Sequence, residues 1–167
     1  MKMTRRTRRR TLTAVQRQAA LLQPFALDEF GAILAAASGI PVRILASDSL
    51  PPAVAGRWIR TGSGDLIEYD ADLPDIARIN TVLHEAGHIL HGHTSLEVGP
   101  ALCSIISPAA INNFARVRYR SAYDSASERE AETFARQTLR AMLWSDTDIG
   151  ESANIRGALG FPRTRIG

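Results

Sequence analysis

Residues 74–92 read PDIARINTVLHEAGHILHG, and their spacing predicts an amphipathic helix. Pro74 suits a first helical turn, because its fixed φ is helical and its missing N–H would have no partner there. Ile76, Ile79, Leu83, Ala86 and Leu90 recur at intervals of three and four, the period of a buried stripe. His84, His88 and His91 follow a neighbouring stripe, and Gly92 is a natural stop. Gly87 inside the helix costs about 1 kcal/mol relative to alanine, which points to another backbone passing close by. The stretch is thus a helix resting on a core by one face and presenting imidazoles by the next.

All four histidines of the chain lie between positions 84 and 93. His84 and His88 stand one turn apart, where Cβ atoms are roughly 5–6 Å from each other. Imidazole nitrogens bind zinc at about 2.0–2.1 Å, so both rings can converge on one ion. Glu85, beside the first of them, then has the position of a general base for water. Histidine-only completion of the site by the metzincin pattern is absent, since the positions three and six residues after His88 are His91 and Thr94. His91 lies a full turn farther along the axis, and His93 would have to fold back after Gly92. The better third ligand is Glu128, within Ser127-Glu128-Arg129-Glu130-Ala131-Glu132-Thr133-Phe134-Ala135. That stretch opens a second helix, with a capping box from Ser127 to Glu130 or from Ser125 to Glu128. Ala131, Phe134, Ala135, Thr138 and Met142 form its buried stripe. Glu132, one turn after Glu128, can accept a hydrogen bond from a ligand histidine's other nitrogen, fixing the ring's tautomer. The competing reading makes Glu128 a plain cap, and Glu130 and Glu132 a solvated face with Arg129 and Arg136. Zinc is the expected ion; manganese stays open, because ligand type alone does not select between them.

Thr81-Val82-Leu83-His84-Glu85-Ala86-Gly87-His88-Ile89-Leu90, with Glu128-Arg129-Glu130-Ala131-Glu132-Thr133-Phe134-Ala135, resembles the ImmA/IrrE family of zinc metallopeptidases. The resemblance covers residues 25–145, strongly at the two helices and weakly elsewhere. It implies a gluzincin-like site with His84, His88 and Glu128 as ligands of Zn2+ and Glu85 as the general base. It further implies a cytoplasmic endopeptidase whose substrate is a regulatory protein, a helix-turn-helix repressor or an antitoxin-like partner, whose cleavage or inactivation releases mobile-element, stress or toxin–antitoxin genes. Two features depart from the family pattern. Glu132 stands where asparagine or aspartate is commoner, and the Leu-Leu-Met-Pro helix ending is replaced by Leu139-Arg140-Ala141-Met142-Leu143-Trp144. The same resemblance includes members that bind a regulator without cleaving it. The alternative function is therefore a non-hydrolytic module with a structural zinc that contacts DNA or a protein partner.

The 167 residues, 45% of them hydrophobic, suffice for one core. No run of eighteen apolar residues suggests a membrane span, and no apolar stretch with a cleavage site follows the basic N-terminus, so neither membrane insertion nor secretion is expected. The single cysteine, Cys103, reads as a small buried hydrophobe. Lys2, Arg5, Arg6, Arg8, Arg9, Arg10 and Arg17 precede the first acidic residue, leaving 13 basic against 17 acidic residues in the remainder, a net of −4. Such an arm is a disordered solubilising end or, less commonly, a contact for nucleic acid. The expected division is a basic arm and short helix over 1–24, a metallopeptidase domain over 25–145, and an irregular tail over 146–167. Within it, helices are expected at Thr11–Leu22 and Asp28–Ser38, the latter stopped by Gly39. A strand follows at Pro41–Leu45, then a loop at Ser47–Ala55. Arg57–Arg60 and Leu66–Tyr69 should form a hairpin, and a further helix should span Pro108–Tyr119 within the long 94–125 connection. The expected fold class is α+β, a small antiparallel sheet beside a helical, zincin-like core with a two-helix metal site. His91, His93 or Tyr123 can supply the second donor that a peptidase oxyanion needs, or be structural. Trp58 and Tyr69 shape the cleft or belong to the core.

Overall fold

The computed structural model describes residues 4–52, 54–93, 96–97 and 125–144. Cys103, Tyr123, the helix expected at Pro108–Tyr119 and the tail over 146–167 lie outside the described residues. The fold is α+β. In chain order it comprises α1 (Arg5–Ala20), α2 (Leu27–Ser38), β1 (Val42–Ser47), β2 (Gly56–Thr61), β3 (Gly64–Asp70), α3 (Asp75–His91), β4 (Leu96–Glu97) and α4 (Ser125–Trp144).

Helix α1 begins six residues earlier than the expected Thr11. Thr4 caps it, its hydroxyl accepting from the Thr7 N–H at 3.2 Å. Arginine is a good helix former, so a cap ahead of the cluster is enough to carry the helix through it. Arg5 to Arg10 therefore ride on the first turns of α1, and no disordered arm begins before Thr11 within residues 4–10. Val15, Ala19 and Ala20 anchor this helix in the same core as α2, α3 and α4. Helix α2 ends where expected, at Gly39, whose φ of 74° is the left-handed conformation that glycine adopts without strain.

The sheet is mixed, which corrects the antiparallel expectation. Its order is β1-β3-β2-β4. β2 and β3 form the expected antiparallel hairpin, tightened to two turn residues by the Thr61–Gly64 pairing. β1, however, pairs with β3 in parallel, Ile44 opposite Ile67, and β4 pairs with β2 in parallel. The cause is non-local. β1 runs opposite to β2, and the hairpin folds β3 back between them, so β3 necessarily runs with β1. No local pattern in residues 42–47 carries that information.

Opposed residues share a face, so Ile44, Trp58 and Ile67 point together into the core, with Tyr69 alongside. Trp58 is fully buried, and both aromatic strand residues belong to the core. Two cross-strand ion pairs reinforce the hairpin. Arg57 Nε donates to Glu68 at 2.5 Å, and Arg60 holds the buried Asp65 through a fork of 2.9 and 3.1 Å while lying 5.0 Å above the Trp58 ring.

Helix α3 crosses between the sheet and α4. Its Leu83, Ala86 and Leu90 are buried as the stripe predicts, but so are Val82 and Ile89, and its C-terminal half is enclosed on nearly every side. Ala131, Phe134, Ala135, Thr138 and Met142 of α4 are all buried, the expected stripe. Thr138 is satisfied there, its hydroxyl donating to the Phe134 carbonyl at 2.8 Å. No helix among the described residues is long and apolar enough to cross a membrane.

Candidate metal centre

The crossing of α3 and α4 creates the site. A Cβ built on Gly87 would come within 2.8 Å of Ala131 Cα and 3.1 Å of its carbonyl oxygen. No side chain fits between these backbones, which accounts for the mid-helix glycine. Gly87 lies three residues after His84 and one before His88, while Ala131 lies three after Glu128. Close contact at that one point therefore sets Glu128 opposite both imidazoles.

His84 Nε2 and His88 Nε2 stand 3.1 Å apart. Glu128 reaches them with Oε2 at 3.3 Å and Oε1 at 3.5 Å, respectively. Four donors at 2.0–2.1 Å around a tetrahedral ion are about 3.3 Å from one another. The separation of the two imidazole nitrogens, and the approach of one Glu128 oxygen to each ring, are close to that value, so these three residues can surround a zinc-sized cation, and they leave a fourth coordination position to other groups. The donor chemistry agrees. Burial, followed by neighbouring His84, His93 and His91, pushes the His88 ring down to about 3, so at neutral pH it is uncharged with a lone pair to give. Glu85 is buried on α3 with 4% of its surface exposed. Glu132 approaches His84 Nδ1 at 3.8 Å and also faces Arg136 at 3.4 Å. Glu128 belongs to the first turn of α4, whose start at Ser125 puts Ser127 inside the helix rather than at its cap.

A second cluster backs the first. Gly92 ends α3 in the left-handed conformation, φ 69°, and turns the chain so that the His93 N–H donates to the His88 carbonyl at 3.0 Å. The His93 ring thereby folds back behind His88, Nδ1 to Nδ1 at 2.9 Å, on the edge opposite His84 and Glu128. Its Nε2 lies 2.9 Å from Glu130 Oε2. His91 stacks on His93 with 5.3 Å between ring centres and has its Nδ1 3.2 Å from the same carboxylate oxygen. The His93 hydrogen bond, above all, holds the Glu130 carboxyl below its ordinary range, although burial opposes it. Burial lowers the His91 ring as well, against the pull of Glu130. A cavity of about 510 Å3 opens beside this cluster between α1 and α4, lined by Arg9, Thr13, His91, Glu130 and Phe134 among others; its lining includes none of His84, Glu85, His88 and Glu128.

Comparison of the chain with protein-family models, with characterised proteins and with solved structures finds no match. The geometry thus carries the functional argument. It brings together His84, His88 and Glu128, with Glu132 at longer range, and turns His91 and His93 toward Glu130. Sequence reasoning assigned Glu130 no partner among the histidines. The only signal for it was Gly92, whose helix-ending turn brings His93 back alongside α3.

Proposed function

We propose that the chain is a zinc-dependent endopeptidase of the ImmA/IrrE type, acting in the cytoplasm on a regulatory protein such as a helix-turn-helix repressor. The observation that carries this reading is the convergence of His84, His88 and Glu128, the imidazole nitrogens 3.1 Å apart and one Glu128 oxygen 3.3 or 3.5 Å from each, with Glu85 buried on the same helix one residue after His84. His84, His88 and Glu128 would hold Zn2+, which when bound polarises a carbonyl and makes water acidic enough to ionise near neutral pH. Glu85 takes a proton from the attacking water and returns it to the departing amine nitrogen, completing hydrolysis of one peptide bond. A purely structural site would have no use for a base beside its first ligand, and among the described residues no fourth ligand joins the three; both favour an enzyme.

The sheet supports a mode of substrate binding. An extended peptide adds to a sheet edge through main-chain hydrogen bonds; the edges here are β1 and the two-residue β4, and β4 lies alongside β2, which packs against the metal-bearing helix. The experiment is co-incubation of candidate repressors with zinc-loaded wild type and Glu85→Gln, reading fragments by mass. Cleavage by the wild type alone supports the proposal. Equal cleavage by both proteins removes Glu85 from its role. Retention of an intact repressor in a stable complex by both favours the non-hydrolytic module.

A further inference from the structure

His91, His93 and Glu130 bring three donor atoms within 4.8 Å of one another, a second set that a cation could use. Counting protons shows what it does instead. The argument rests on the metal triad proposed above.

A neutral imidazole carries one N–H and one lone pair. If His88 gives Nε2 to a cation, its proton must sit on Nδ1. That nitrogen is 2.9 Å from His93 Nδ1, which must then accept. With Nδ1 accepting, the His93 proton sits on Nε2, where Glu130 Oε2 receives it at 2.9 Å. A carboxylate can only accept, so the chain closes with every proton matched to a lone pair. Now suppose a second cation bound His93 Nε2. The His93 proton would move to Nδ1 and meet the His88 Nδ1–H head on. The two clusters cannot both hold a metal through these nitrogens.

We propose that His93 and Glu130 are a positioning pair for His88, holding its ring and its Nδ1–H tautomer so that Nε2 faces the triad. The role differs from that expected for Glu132, which lies 3.8 Å from His84 and does not bear on His88. His91, stacked on His93 and within 3.2 Å of Glu130, buttresses the pair.

The test uses the full chain with His93→Leu, His93→Asn, Glu130→Ala and Glu130→Gln, measuring zinc affinity by chelator competition and zinc per chain at saturation. Loss of a group that orients a ligand histidine weakens metal binding roughly 10- to 100-fold. That loss is expected for His93→Leu and Glu130→Ala. His93→Asn retains an acceptor for His88 and Glu130→Gln retains one for His93, so both should restore most of the affinity. A merely structural role would not separate the two members of each pair. Zinc should saturate at one ion per chain. Unchanged affinity in His93→Leu, or two ions bound per chain with His93 required for the second, overturns the proposal. Should the wild type bind no zinc, the peptidase reading fails while the pair is still tested by nitrogen–proton correlation spectra of metal-free protein at mildly alkaline pH. Those spectra should show His88 protonated on Nδ1 and His93 on Nε2. The reverse tautomers overturn the proposal regardless of metal.

Discussion

Replacing Gly87 by alanine is the sharpest perturbation of the helix crossing. The new Cβ would lie 2.8 Å from Ala131 Cα and 3.3 Å from its Cβ. Carbon atoms pack best at about 3.5–4.0 Å, so α3 and α4 must separate by roughly 1 Å. The obstruction is backbone and cannot rotate away. Overpacking of this kind costs about 1–3 kcal/mol, while removing a mid-helix glycine returns about 1 kcal/mol. The expected balance is a net loss of up to about 2 kcal/mol. The effect on the site should be larger. Glu128 travels with Ala131, and its separations of 3.3 and 3.5 Å from the imidazoles would widen toward about 4 Å, beyond the roughly 3.3 Å that a zinc tetrahedron allows. Zinc affinity should fall by about tenfold or more. Urea denaturation of the metal-free protein and chelator competition on the same preparation read the two effects separately. A variant that is about 1 kcal/mol more stable and binds zinc as the wild type does would refute the reasoning, since that is how a roomy helical glycine behaves.

Acid should weaken the metal-free protein. The His88 ring is pushed from 6.5 to about 3, so the unfolded chain binds more protons between those values, and stability should drop by up to about 1.4 kcal/mol per pH unit as pH falls through that window. The lowered Glu130 carboxyl adds to the same trend only below its ordinary range. Denaturation curves that are flat from pH 7 to pH 4 would contradict the His88 contribution. Asp65→Ala removes the partner of the Arg60 fork and should cost about 1–3 kcal/mol by urea denaturation. Arg60 keeps 37% of its side-chain surface in solvent, so the loss should stay below that of a fully enclosed ion pair.

How much was legible in the sequence depended on range. The helical period of residues 76–90 and 131–142, the stop at Gly92 and the breaker at Gly39 are local signals, and each element formed where its signal lay. Gly87 revealed a long-range contact because a mid-helix glycine is costly unless space demands it, although only the fold shows that Ala131 is what it meets. Sheet order was not readable, since the direction of β1 beside β3 follows from how the hairpin folds back and not from any residue in β1. The start of α1 was missed because Thr4 is a single capping residue ahead of a run of arginines, a composition that reads as solvated chain. Glu130 escaped for a different reason. Among three alternating glutamates, the choice of partner depends on the turn after α3, which no periodicity in α4 encodes.

The most direct test of the metal centre is elemental analysis of zinc in wild type and Glu128→Ala after zinc loading and removal of the excess. The account predicts about one zinc per wild-type chain and its loss in Glu128→Ala, since among the described residues Glu128 alone brings a carboxylate within 3.5 Å of Nε2 of both His84 and His88. Zinc retained at full stoichiometry in Glu128→Ala, or none bound by the wild type, would contradict it.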